Sequence, residues 1–162
     1  MDRRHVLVGS DAPPAAERAL RWAATEASLR GMSLRICHAW SWPYPLRPRD
    51  GDALEVVRGM GVLALEDGAR LARETVPGLD VRTSLVRGTP PGAILDACAD
   101  AALIVIGARG AGGFENLPIG STAVHVPAHV DRPVVVVPAY KPADAPRRIV
   151  VRSRSSTSAT RK

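Results

Sequence analysis

Hydrophobic positions along the chain fall into nine short blocks that alternate between two periodicities. "HVLVGSD" (5–11) is an unbroken apolar run that ends in Gly, Ser and Asp, the signature of a buried strand entering a loop. In the next stretch Ala16, Ala19, Leu20, Ala23 and Ala27 recur at helical spacing, and Gly31 fits the position just past a helix end. "SLRICHAW" (33–40) alternates and predicts a second strand, and the three prolines of 41–52 predict a loop. Leu54, Val57, Leu65, Ala69, Ala72 and Val76 trace one face of a second helix, although Gly59, Gly61 and Gly68 each weaken helix propensity. "DVRTSLVRG" (80–88) predicts a third, less buried strand.

The second half repeats the rhythm. Thr89 is placed to cap a helix over 89–101, with Pro90 at its first position and Ile94, Ala97, Cys98 and Ala101 on one face. "LIVIG" (103–107) is a continuous apolar run, as a central strand requires. A glycine loop follows, then a short helix from about Gly120–Ser121 that Pro127 must kink or shorten. "PVVVVP" (133–138) is the last strand. The order βαβαβαβαβ predicts an α/β domain: a parallel sheet with right-handed crossovers and helices on both faces. No internal repeat or second domain is evident. Residues 1–140 read as one domain and 141–162 as a basic, disordered C-terminal tail.

Charge sharpens this division. The formal net charge is +6, yet residues 1–140 hold fifteen basic and fifteen acidic side chains. Residues 141–162 hold seven basic and one acidic, so the whole excess sits in the tail. A nucleic-acid role is therefore expected only through that appendage. Lys141 and Lys162 are the only lysines, which removes Walker-type, Schiff-base and kinase-type lysine chemistry from the folded part. Cys37 and Cys98 form no CxxC pair and read as reduced, buried small residues. The N-terminal apolar run is too short for a signal peptide and no segment is long enough to span a bilayer, so a cytoplasmic protein without membrane association is expected.

Five glycines between 107 and 120 are the main chemical signal. In an open α/β sheet, ligands bind beyond the carboxyl ends of the strands where strand order reverses. If the first and fourth strands are neighbours there, "GSD" (9–11) and the glycine loop meet across one crevice. The loop ends at a helix N-terminus, which favours phosphate, and Ser121 and Thr122 add hydroxyl donors. GxGxxG is absent because residue 115 is Glu.

"GARGAGGFENLPIGS" fits the pattern G-x2-G-x9-G-[S/T] at Gly107, Gly110, Gly120 and Ser121, and so resembles the universal stress protein family. "VLVGSDAPPAAERALRWAATEA" is similar to that family's opening strand and helix, and the likeness runs over about residues 4–138. The resemblance implies a Rossmann-like five-stranded parallel sheet in the order 3-2-1-4-5, of the adenine-nucleotide α-hydrolase-like type. It also implies an adenine nucleotide, ATP above all, with Mg²⁺ as an optional companion. Carried over by position, Asp11 would face the ribose or adenine, and Gly9, Ser10 and Ala39 would border the base. Gly107, Gly110, Gly120, Ser121 and Thr122 would hold ribose and phosphates, with Ile106 and Gly113 in the same lining. Arg109 is read either as a phosphate partner or as a solvated side chain. The family's edge-strand pairing implies a homodimer through 133–138, serving a regulatory, stress-response role that couples nucleotide state to an unidentified protein partner. Three departures from the pattern stand out: Ala12-Pro13 replace a common Gly-Ser, Pro127 replaces a helix former, and Ala102 replaces a common Asp.

Alternative readings are a slow ATPase or nucleotidyl-transfer enzyme, with Glu115 its one candidate residue, and a tail-driven binder of nucleic acid or acidic protein. No catalytic residue and no metal site is assigned. His125 and His129, four apart, lack an evident third ligand. His38 reads as a hydrogen-bonded residue at the core edge. The aromatic trio Trp40, Trp42 and Tyr44 is expected to pack on the second helix rather than cap the crevice.

Overall fold

The structure is a computed structural model that describes residues 4–11, 16–42, 51–110 and 119–138. The strands are β1 (His5–Gly9), β2 (Ser33–Trp40), β3 (Val81–Arg87), β4 (Ala101–Gly107) and β5 (Val134–Val137). The helices are α1 (Glu17–Leu29), α2 (Gly51–Thr75), α3 (Pro90–Ala97) and α4 (Ser121–His129). All strands pair in parallel, in the order β3-β2-β1-β4-β5.

Alternation along the strands sends side chains into two cores. On one face Val6, Val8, Leu34, Ile36, Leu103 and Val105 pack under α1 and α2. On the other Leu7, Cys37, Ile104, Ile106 and Val134 pack under α3 and α4. Leu7, Leu20, Leu34, Ile36 and Ile104 are sealed from water, each contributing roughly 1.5–3 kcal/mol relative to an exposed position. β1 and β4 are central and buried, so strand order reverses between them and leaves a gap where their carboxyl ends diverge.

The α1 terminus follows its sequence signal. Gly31 takes φ +63°, its N–H donates to Ser28 O at 3.0 Å, and that of Met32 to Ala27 O at 2.9 Å. Two expectations need adjusting. First, α2 is one continuous helix and begins at Gly51, taking in the last two residues of the expected loop. Gly61 and Gly68 do not break it because both are buried contact points: a Cβ at Gly61 would lie 2.8 Å from Leu85 Cδ1, and one at Gly68 would lie 3.6 Å from Leu20 Cδ1. Second, α3 stops at Ala97, so Ala101 opens β4 and does not extend the helical face of Ile94. The N–H of Ala101 closes a turn onto Cys98 O at 3.1 Å, leaving too few residues for another helical turn. The short helix α4 carries Pro127 inside it and ends two residues further on, at His129. Cys98 is only half buried, unlike Cys37. Among the described residues, no helix is long and apolar enough to cross a membrane.

Candidate functional site

A crevice of about 220 Å³ opens at the switch point. Its floor is the end of β1 (Gly9, Ser10, Asp11) and the end of β4 (Ile106, Gly107), with Arg109 and Gly110 just beyond. Ala39 of β2 and Gly120, Ser121 and Thr122 at the start of α4 complete the lining foreseen in the sequence. Gly113 and Glu115 lie outside the described residues, as do Tyr44, Ala12-Pro13 and the tail. Trp40 and Trp42 are half buried and do not line the crevice; the Arg87 guanidinium stands 5.7 Å from the Trp40 ring centre.

Gly107 and Gly110 serve close approach. Positive φ angles occur at Gly31, Gly78 and Gly88, and not at Gly107, Gly110 or Gly120. At Gly110 a Cβ would overlap the Asp11 carboxylate, and even Asp11 Cγ would be only 3.1 Å from it. At Gly107 a Cβ would stand 3.2 Å from Arg109 O. The foot of the loop is tied down: Gly120 N–H donates to Ala108 O at 2.7 Å, and Ala108 N–H donates to Val137 O at 2.7 Å. The glycines thus bring the β4 end, the α4 start and Asp11 to one spot.

The two helix starts facing the crevice differ in chemistry. At α3, Pro90 and Pro91 carry no N–H. Thr89 takes up the next donors: Gly92 N–H meets Thr89 Oγ1 at 3.3 Å and Ala93 N–H meets Thr89 O at 2.9 Å. This helix therefore presents an apolar wall of Pro90, Ala93 and Ile94, continued by Cys37 and Ile106. Sequence reasoning missed Pro90, Ala93, Ile94, Cys37, Ala16 and Ala123 as lining. Their apolar character served equally well as core, and only the tertiary fold turns them inward. At α4, Gly120 occupies the N-cap without a side-chain cap, and the first three N–H groups have no partner within the helix. Ser121 and Thr122 add hydroxyls there. The crevice is thus apolar on the α3 side and donor-rich on the α4 side, a shape suited to a flat ring with an anionic arm.

Asp11 is half buried, and α1 does not begin until Glu17, with Ala16 as its N-cap. The carboxylate lies against Gly110 and does not cap the helix. Arg109 is exposed at the rim. Burial pushes the Cys37 thiol up to about 11, with Asp96 adding to the rise and Arg35 opposing it, so the group is a neutral apolar neighbour at physiological pH. His125 and His129 stack at 4.0 Å between ring centres, and His129 Nδ1 donates to His125 O at 2.8 Å. Among the described residues, no group of three or more His, Cys, Asp or Glu side chains is arranged to hold a metal.

Fold and crevice together define a Rossmann-like α/β protein with a crevice at the β1/β4 switch point, the place where such sheets offer a ligand site. The chain belongs to the universal stress protein family, whose model matches residues 2–138. A universal stress protein of Mycolicibacterium smegmatis is 30% identical over 140 residues, covering 82% of this chain and 47% of the relative. One from Mycobacterium tuberculosis is 31% identical over 137 residues, covering 81% and 44%. The chain thus spans less than half the length of these relatives. Among solved structures, a universal stress protein from Archaeoglobus fulgidus in complex with dAMP is 30% identical, with a TM-score of 0.62 over 85% of this chain and 99% of that one. A universal stress protein in complex with cAMP is 21% identical, with a TM-score of 0.65 over 85% and 98%, and shares the fold.

Proposed function

We propose that the switch-point crevice binds an adenine nucleotide, ATP in the first instance. In this reading the protein is a regulatory module: nucleotide occupancy changes which partner it engages, and turnover is not its purpose. Gly9, Ser10, Asp11, Ala39 and Ile106 would surround base and ribose. Gly107, Gly110, Gly113, Gly120, Ser121 and Thr122 would carry ribose and phosphates, with Arg109 at the rim. The observation that carries this reading is the polarity split of the crevice. The N–H groups and hydroxyls of α4 suit phosphate, and the Pro90–Ile94 wall suits a purine. The family membership and a dAMP complex of a 30% identical relative support it. We propose also that residues 1–140 form the nucleotide-binding unit, that it resides in the cytoplasm, and that it pairs with a second copy through β5.

The test is mass spectrometry of small molecules released on denaturing the purified protein, followed by calorimetric titration with ATP, AMP and GTP. The expected result is a bound adenine nucleotide, or saturable ATP binding with GTP at least tenfold weaker. No bound nucleotide and no heat of binding up to millimolar ATP would contradict the reading.

A further inference from the structure

His38 lies on β2 between Cys37 and Ala39, both of which line the crevice. Alternation along the strand puts His38 itself on the opposite face, toward α2. A direct contact with a ligand in the crevice is therefore ruled out. Yet its ring reaches the crevice floor through the backbone: His38 Nδ1 is 2.6 Å from the carbonyl oxygen of Ser10. A carbonyl can only accept, so Nδ1 carries the proton and donates.

The location of that bond matters. β1 ends at Gly9, and the chain leaves the sheet through Ser10 to Asp11. Ser10 is 4% exposed, and its N–H is already held by Cys37 O at 2.9 Å. β2 therefore grips both backbone groups of Ser10, one with a main-chain carbonyl and the other with an imidazole. The ring in turn has little room to swing. A Cβ at Gly61 of α2 would come within 3.2 Å of His38 Cδ2, so the helix backbone is close to the ring edge. The next residue along from the gripped carbonyl is Asp11, whose carboxylate sits against Gly110 across the crevice.

We propose that His38 is a positioning residue for the nucleotide crevice: by donating from Nδ1 to Ser10 O it fixes the peptide that sets Asp11 against Gly110. This rests on the nucleotide reading above. Removing the donor leaves a buried carbonyl without this bond and frees the Ser10–Asp11 peptide to rotate, which moves the carboxylate.

The test compares two amide replacements and a spectroscopic signature in the full chain. An Asn amide nitrogen falls near the place of Nδ1, whereas a Gln amide nitrogen falls near that of Nε2. ATP affinity of His38→Asn should stay within about twofold of the parent, while His38→Gln and His38→Leu should bind about five- to tenfold more weakly, the loss of one buried hydrogen bond. Long-range ¹⁵N–¹H spectra of the imidazoles, assigned by the peak missing in His38→Asn, should show the Nδ1–H tautomer when the ring is neutral. Equal affinity in parent and His38→Gln, equal weakening in Asn and Gln, or an Nε2–H tautomer would overturn the proposal. A parent protein that binds no nucleotide would instead overturn the reading on which it rests, and the tautomer spectrum would still report whether the Ser10 clamp exists.

Discussion

At the scale of single residues, the site depends on an atom that is missing. Gly110 has no Cβ, and the Asp11 carboxylate occupies the place where one would be. Sequence pattern alone identifies Gly107, Gly110 and Gly120 as important. None of the three has a positive φ, and a Cβ would be crowded at Gly107 and Gly110, so close approach is the reason for glycine at those two. Gly110→Val should therefore abolish ATP binding by displacing Asp11 while changing stability little, because the position is at the surface of the crevice and not in either core. Calorimetry beside a thermal melt checks this; retained affinity would mean that Asp11 and Gly110 need not meet. His38 shows the limit of sequence reading at this scale. Its character as a hydrogen-bonded core-edge residue was legible, but its partner Ser10 O was not, because pairing across β1 and β2 depends on register.

At the scale of elements, most of the fold was legible because each strand and helix has a clear period and clear ends. Thr89 with Pro90 predicted the start of α3, and Gly31 the end of α1, each through a local backbone need. What sequence could not supply was burial from outside the element. Gly61 and Gly68 look like helix breakers in isolation, yet they are where α2 presses on β2, β3 and α1. Likewise the doubled proline of α3 reads only as a helix start, although it also strips that end of N–H groups and makes an apolar wall. Thr89→Ala should then cost about 1 kcal/mol of stability, the usual cost of losing a cap. Urea unfolding measures it; a loss below about 0.3 kcal/mol would mean that the two prolines alone hold the turn. Thr89→Ser should recover most of the loss.

At the scale of the whole molecule, the two outer strands of the sheet formed by the described residues differ in character. β3 carries the exposed side chains Arg82, Thr83 and Arg87, which discourage pairing with another chain. β5 is four valines, of which Val134, Val135 and Val137 are buried, so its outer backbone edge is framed by apolar side chains. This asymmetry supports isologous pairing at β5. A dimer by sedimentation equilibrium is expected, and Val136→Pro, which removes a backbone donor from the edge strand, should shift it toward monomer. A parent chain that sediments as a monomer at tens of micromolar would contradict pairing at β5.

The proposed nucleotide site is one crevice, between the ends of β1 and β4 and the starts of α3 and α4. Its most direct test is a titration of ¹⁵N-labelled protein with ATP, followed residue by residue in amide spectra. Saturable shifts are expected at Gly9–Asp11, Ala39, Ile106–Gly110 and Gly120–Ala123, with His5, β3 and the far end of α2 unmoved. Shifts confined to residues 141–162, or none up to millimolar ATP, would contradict it.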